Sequence, residues 1–299
     1  MPLIKANNID LFYDEFGAKS DPAILLIMGL GTQMIAWSED FCQRLAGAGF
    51  RVIRFDNRDI GLSQKMSGAP KVNIGWALAK SWLGLHVWSP YTLEDMAADA
   101  VGLLDALKIE RAHIVGASMG GMIAQIVAAR YPGRCLSLTS IMSTSGDRRL
   151  PGPTPDVRSA MLAKRPPADQ PEAAAQFGVD ILKTISSPGF PMPDAELRGY
   201  VEAAMARSVY PAGFTRQLLA IIANGSRVEL LKTIRMPVLV LHGEADPLVP
   251  VEGGHDTAKH IAGARLVTIP GWGHDLPPVL VPRLADEIAA HCSAIAKAA

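Results

Sequence analysis

Residues Ala112 to Gln125 read AHIVGASMGGMIAQ, an apolar run that ends at a glycine just before a serine and a helical pattern. Within it, Gly116-Ala117-Ser118-Met119-Gly120 matches G-x-S-x-G at a strand-to-helix junction, where the motif carries meaning. A serine at such a place can simply cap the helix by accepting a backbone N–H. The flanking small residues point further. They allow a turn so sharp that Ser118 is held in strained backbone geometry with its hydroxyl lifted above a sheet, which is how a nucleophile is presented.

Outward from this stretch, short apolar runs alternate with helical patterns. AILLIM (Ala23–Met28), RVIRF (Arg51–Phe55), HIVG (His113–Gly116), LSLTSIM (Leu136–Met142), VLVLHG (Val238–Gly243) and RLVTIP (Arg265–Pro270) have strand character. The first and fifth are apolar nearly throughout, as parallel strands covered on both faces are. YTLEDMAADAVGLLDALKIE places Leu93, Met96, Ala97, Ala100, Leu103, Leu104 and Leu107 on one helical face, with Thr92 and Asp95 spaced as a capping box. The alternation predicts an α/β fold with helices on both sides of the sheet. Residues 146–232 break the rhythm with Pro-punctuated helical pieces only, which predicts a helical insertion between core segments 1–145 and 233–299.

A serine hydroxyl is a weak nucleophile until a base takes its proton, and the base must be oriented by a third group. His274, in the Gly-rich loop IPGWGHDLP after the last apolar run, is the expected base, with His86 as its rival. In VLVLHGEADPLVP both Glu244 and Asp246 could orient the imidazole. Asp246 is preferred, because the following proline biases it towards a turn and the order Ser, Asp, His suits the architecture. An oxyanion needs backbone donors. Those expected are the N–H groups of Met119 and of Leu30, the latter in MGLGTQ, where Gly29 and Gly31 allow close approach of a substrate.

Composition narrows the partners. Lys plus Arg and Asp plus Glu balance at 29 each, without the basic footprint of a nucleic-acid binder. No apolar segment reaches the roughly 20 residues of a membrane-spanning helix, and the first residues, MPLIKANNID, lack the pattern of a secretory signal. A soluble cytoplasmic protein is therefore expected. Cys42, Cys135 and Cys292 are scattered, without ligand spacing, so neither a zinc site nor a disulfide framework is expected. KVNIGWALAKSWLGLHVWSP holds Trp76, Trp82 and Trp88, which predicts helix or core packing first and a wall of an apolar substrate pocket second.

Four segments together carry a family likeness: FDNRDIGLS (Phe55–Ser63), GASMGG, GEADPLVP and GWGHD. They resemble the D-x-R-G-x-G-x-S loop, nucleophile elbow, acid turn and histidine loop of α/β-hydrolase-fold serine hydrolases. The resemblance implies a mostly parallel sheet of about eight strands, with residues 146–232 as a cap and the substrate between cap and core. It departs at Met28-Gly29, where the family commonly has His-Gly, and at Asp59, where it commonly has glycine; Asp tolerates left-handed backbone better than most residues. With the STSGDRRLPGP entry to the cap, the chain is similar to the carboxylesterase and methylesterase subgroup that includes aclacinomycin methylesterase. The activity implied is hydrolysis of a small to medium, largely apolar ester through an acyl-enzyme, with no metal or organic cofactor. Lactone opening, thioester hydrolysis, perhydrolysis and C–C cleavage are alternatives on the same residues, and a ligand receptor on this scaffold is the alternative outside enzymes.

Overall fold

Asn7 and Asn8 both adopt positive φ, 46° and 63°, and turn β1 (Leu3–Ala6) back onto β2 (Ile9–Phe16). Asparagine accepts this backbone region because its short side chain is polar and compact. The chain, seen here in a computed structural model that describes residues 3–68, 73–164, 166–167 and 169–296, then continues into alternating strands and helices. These are β3 (Ala23–Ile27), α1 (Glu39–Gly47), β4 (Arg51–Phe55), α2 (Ile74–Trp82), α3 (Leu93–Ala106), β5 (Ala112–Ala117), α4 (Met119–Arg130) and β6 (Cys135–Ile141). A run of helices follows: α5 (Pro155–Leu162), α6 (Pro171–Ile185), α7 (Asp194–Arg207), α8 (Pro211–Asn224) and α9 (Val228–Leu231). The chain returns to the sheet with β7 (Val238–Gly243), α10 (Glu252–His260), β8 (Arg265–Ile269) and α11 (Val281–Ala296).

Among the described residues one sheet forms, in the order β1-β2-β4-β3-β5-β6-β7-β8. β1 and β2 are antiparallel additions, and β3 to β8 pair in parallel. Every residue of β3, β4, β5 and β7 is buried; the nearly continuous apolar runs of β3 and β7 reflect coverage on both faces, and Arg51 and Arg54 of β4 are buried in pairs with Glu15 and Asp14 of β2. One face packs on α1 and α11, with Trp37, Phe41, Leu45, Leu284 and Ile288 at its centre. The other packs on α3 and α4. Thr92 closes α3 as anticipated: its Oγ accepts the Asp95 N–H at 3.1 Å while its own N–H donates to the Asp95 carboxylate at 2.8 Å.

Helix α4 is buried from Met119 to Ala128, and its first turn is pressed directly against neighbouring backbone. A Cβ on Gly120 would lie 2.0 Å from the Ile27 carbonyl oxygen, and one on Gly116 would lie 2.0 Å from that of Gly120. Gly120→Ala is therefore expected to destabilise the protein by about 3 kcal/mol or more, since neither backbone can yield without moving the sheet. Urea midpoints test this against Gly133→Ala, where an added Cβ meets nothing within 4 Å. Equal midpoints for the two variants would contradict the close approach.

The helices between β6 and β7 lie over the carboxyl ends of the parallel strands. Arg207 at the end of α7 pairs with Asp56 after β4 at 2.9 Å, Arg216 of α8 pairs with Asp59 at 2.8 Å, and Ile185 at the end of α6 accepts the His274 N–H at 2.8 Å. These ties bring the helical segment to the loops where the candidate chemistry sits.

Candidate active site

Ser118 terminates β5 with φ 56° and ψ −121°, a combination that side chains rarely tolerate. The turn persists because its backbone is held on both sides: its N–H donates to the Ile141 carbonyl at 2.9 Å, and its carbonyl accepts the Gly121 N–H at 2.9 Å and the Ser143 hydroxyl at 2.8 Å. The hydroxyl does not cap α4. Ser118 Oγ lies instead 2.9 Å from His274 Nε2, and His274 Nδ1 lies 2.7 Å from Asp246 Oδ2. Residues 118, 246 and 274 thus converge, although they are far apart along the chain.

Pro247 follows Asp246 in a turn where Asp246 Oδ1 accepts the N–H groups of Leu248 at 2.9 Å and Val249 at 2.8 Å. That leaves Oδ2 for the imidazole. Burial pushes the Asp246 carboxyl up, but the adjacent His274 with its hydrogen bond, and the His242 ring 3.6 Å away, outweigh it and hold its pKa at about 2. With Asp246 ionised and accepting at Nδ1–H, His274 presents the lone pair of Nε2 to the serine hydroxyl. Glu244, the alternative acid, is exposed and accepts the Thr268 hydroxyl at 2.8 Å. His86, the alternative base, is exposed. His113 is buried against the Ser137 hydroxyl, and burial lowers its pKa to about 4.

The loop after β3 abuts the serine: a Cβ on Gly29 would stand 3.0 Å from Ser118 Cβ and 3.5 Å from its Oγ. Among the described residues the N–H groups of Leu30 and Met119 make no hydrogen bond, so both remain open to a ligand. Gly31 has φ 67°, and its N–H is taken by the Gln217 side chain at 2.9 Å. Asn57 Nδ2 donates to the Met28 carbonyl at 2.8 Å. Neither Asn57 nor Gln217 is conspicuous in the sequence; a buried amide in a polar loop or amphipathic helix has no local signature. Asp59 does adopt left-handed backbone, with φ 73°.

The tryptophan segment requires a correction. Trp76, Trp82 and Trp88 are 60%, 83% and 46% exposed, so they neither pack in a core nor wall an enclosed pocket. Helix α2 lies against α8 through Ala77, which is buried with Val87 and Leu219, and this contact leaves the indoles of Trp76 and Trp82 facing outward, while Trp88 lies beyond the helix. Among the described residues no group of three or more His, Cys, Asp or Glu is arranged to hold a metal, and no helix is long and apolar enough to cross a membrane.

Comparison with known proteins agrees with the fold. The family model for the alpha/beta hydrolase fold matches residues 22–278. The chain is 29% identical to rhodomycin D methylesterase DauP of Streptomyces sp. (strain C5), with 98% of each chain covered. It is 28% identical to rhodomycin D methylesterase DnrP of Streptomyces peucetius, again over 98% of each. Among solved structures, a meta-cleavage product hydrolase from Pseudomonas fluorescens IP01 aligns over 97% of each chain with a TM-score of 0.77 at 20% identity, a likeness of fold.

Proposed function

We propose that this chain, which belongs to the α/β hydrolase fold family, is a serine hydrolase of carboxylic esters in which Ser118, His274 and Asp246 act as one unit. The observation that carries the reading is the continuous hydrogen-bonded path from Ser118 Oγ through both ring nitrogens of His274 to Asp246. As Oγ adds to the ester carbonyl, His274 Nε2 takes its proton and Asp246 stabilises the resulting imidazolium. The N–H groups of Leu30 and Met119 receive the oxyanion. Collapse breaks the bond to the alcohol oxygen, which takes the proton from His274 as it leaves, and an acyl group remains on Ser118. Water activated by the same histidine then releases the acid and restores the serine.

Residues 146–232 act as the cap, and the substrate enters between them and the loops after β3 and β5. The methylesterase names of the relatives over nearly the whole chain support an ester substrate, and the apolar residues of α6 and α8 support a largely apolar acyl or alcohol group. The test uses p-nitrophenyl esters, methyl esters and lactones in one turnover screen, together with an organophosphate that phosphorylates an activated serine. Multiple turnover of esters, and a single adduct mapped by peptide mass to Ser118, are expected. Faster turnover of lactones would reassign the substrate class; an adduct elsewhere, or single-turnover ester cleavage, would refute the nucleophile or the enzyme.

A further inference from the structure

One side chain of helix α8 joins the loop after β3, which abuts the serine, to the loop after β4. Gln217 is fully buried; its Oε1 accepts the Gly31 N–H at 2.9 Å, and its Nε2 donates to the Arg58 carbonyl at 2.9 Å. The partners fix the orientation of the amide, since Gly31 offers a donor there and Arg58 an acceptor, and a flipped amide would satisfy neither. The neighbouring Arg216 secures the helix with a two-pronged pair to Asp59, both contacts at 2.8 Å. The Phe214 ring lies close over Gly31, where a Cβ would come within 2.5 Å of it.

The consequence reaches the peptide that carries the Leu30 N–H. A peptide group is planar, so a hydrogen bond at either end fixes its whole plane. Asn57 pins the Met28–Gly29 peptide through the Met28 carbonyl, and Gln217 pins the Leu30–Gly31 peptide through the Gly31 N–H. The Gly29–Leu30 peptide lies between these two fixed planes, beside Ser118. Met28 has no polar side chain to hold the loop; within the loop the Gly29 carbonyl accepts the Thr32 N–H at 3.3 Å and the Leu30 carbonyl accepts the Thr32 hydroxyl at 3.1 Å, and the two amides tie this turn to its surroundings.

We propose that Gln217 is a positioning residue for oxyanion stabilisation, aiming the Leu30 N–H by holding Gly31, so that the oxyanion donor is in place when α8 is seated. The inference rests on the ester-hydrolase reading and adds to it a dependence of the chemical step on a cap residue. Gln217→Met removes both hydrogen bonds at similar volume. It is expected to lower kcat for p-nitrophenyl butyrate about 10- to 100-fold, with KM within about threefold, as for a weakened oxyanion donor. Affinity for a trifluoromethyl ketone should fall by a similar factor, because its carbonyl becomes an oxyanion when Ser118 Oγ adds and His274 takes the proton. Gln217→Glu keeps an acceptor for Gly31 and should recover most of the loss.

A side chain that merely supports the cap would change melting temperature and KM while leaving kcat and ketone affinity as in the wild type, and that result overturns the proposal. Amide exchange in the unmodified protein decides the matter even where Gln217→Met does not fold. The Gly31 amide should exchange slowly while those of Leu30 and Met119 exchange fast; equal rates for Gly31 and Leu30 would also overturn it. Wild-type protein that neither turns over the ester nor reacts with the organophosphate would remove the ester-hydrolase reading and this inference together. An active wild type with an unaltered Gln217→Met would remove the inference alone.

Discussion

Ser118→Ala is expected to abolish at least ~10³-fold of the ester-hydrolysis rate while the protein remains folded, because deletion of a nucleophile leaves only binding and oxyanion contributions. The substitution removes one oxygen at a position whose backbone is strained at φ 56° by its surroundings, not by its hydroxyl. Bonds from the backbone of Ser118 to Ile141, Gly121 and Ser143 all survive it. The measurement is kcat/KM for a p-nitrophenyl ester alongside a thermal melt. Turnover within tenfold of the wild type, with a normal melt, would move the nucleophile away from this residue.

Asp246→Asn is the second large effect, and its cause is the direction of one proton. An asparagine would donate its amide to Nδ1 of His274, leaving the ring proton on Nε2, where it faces the serine hydroxyl and blocks proton acceptance. A loss of about 10³- to 10⁴-fold in kcat is expected with the geometry intact. Glu244→Gln, beside it in sequence but bonded to Thr268 at 2.8 Å, should leave the rate near that of the wild type. Asp246→Asn should also alter acid stability. Asp246 has a folded pKa of about 2, below its value in the unfolded chain, so its contribution is present above the unfolded pKa and is lost as the pH falls through the folded one. Between about pH 5 and pH 2 the wild type should therefore lose about 2 kcal/mol more stability than Asp246→Asn. Parallel urea-denaturation curves across that range would argue against the ionised, hydrogen-bonded carboxylate.

The parts of the fold that could be read from the sequence are those whose cause is local. The runs at Ala23–Met28 and Val238–Gly243 match β3 and β7 because strands buried on both faces call for nearly continuous apolar residues. PEAAAQFGVDILKTI coincides with α6, its first residue a proline suited to a first helical turn. Strand β2 has no clear local signature because IDLFYDEF breaks the period-two pattern with adjacent acids, Asp14 and Glu15, whose partners Arg54 and Arg51 lie on the neighbouring strand β4. In the candidate site, Ser118 and His274 were legible through motif and loop context. Gln217 was not, because Gly31 lies 186 residues away and helical pattern says only that an amide occupies one face. The tryptophans misled for a related reason: indole suggests burial, but the face α2 buries is set by the small Ala77 against α8.

The bond between Gly31 and Gln217 bears on how this scaffold can be re-engineered. Lids of such enzymes are natural units to transplant when a new specificity is wanted, on the premise that recognition and reactivity reside in separable modules. Here a chimera that imported a foreign residue at position 217 would alter the reaction centre along with the recognition surface. Donor segments should therefore be matched first at Gln217 and Arg216, and only afterwards for the shape they offer to a new guest.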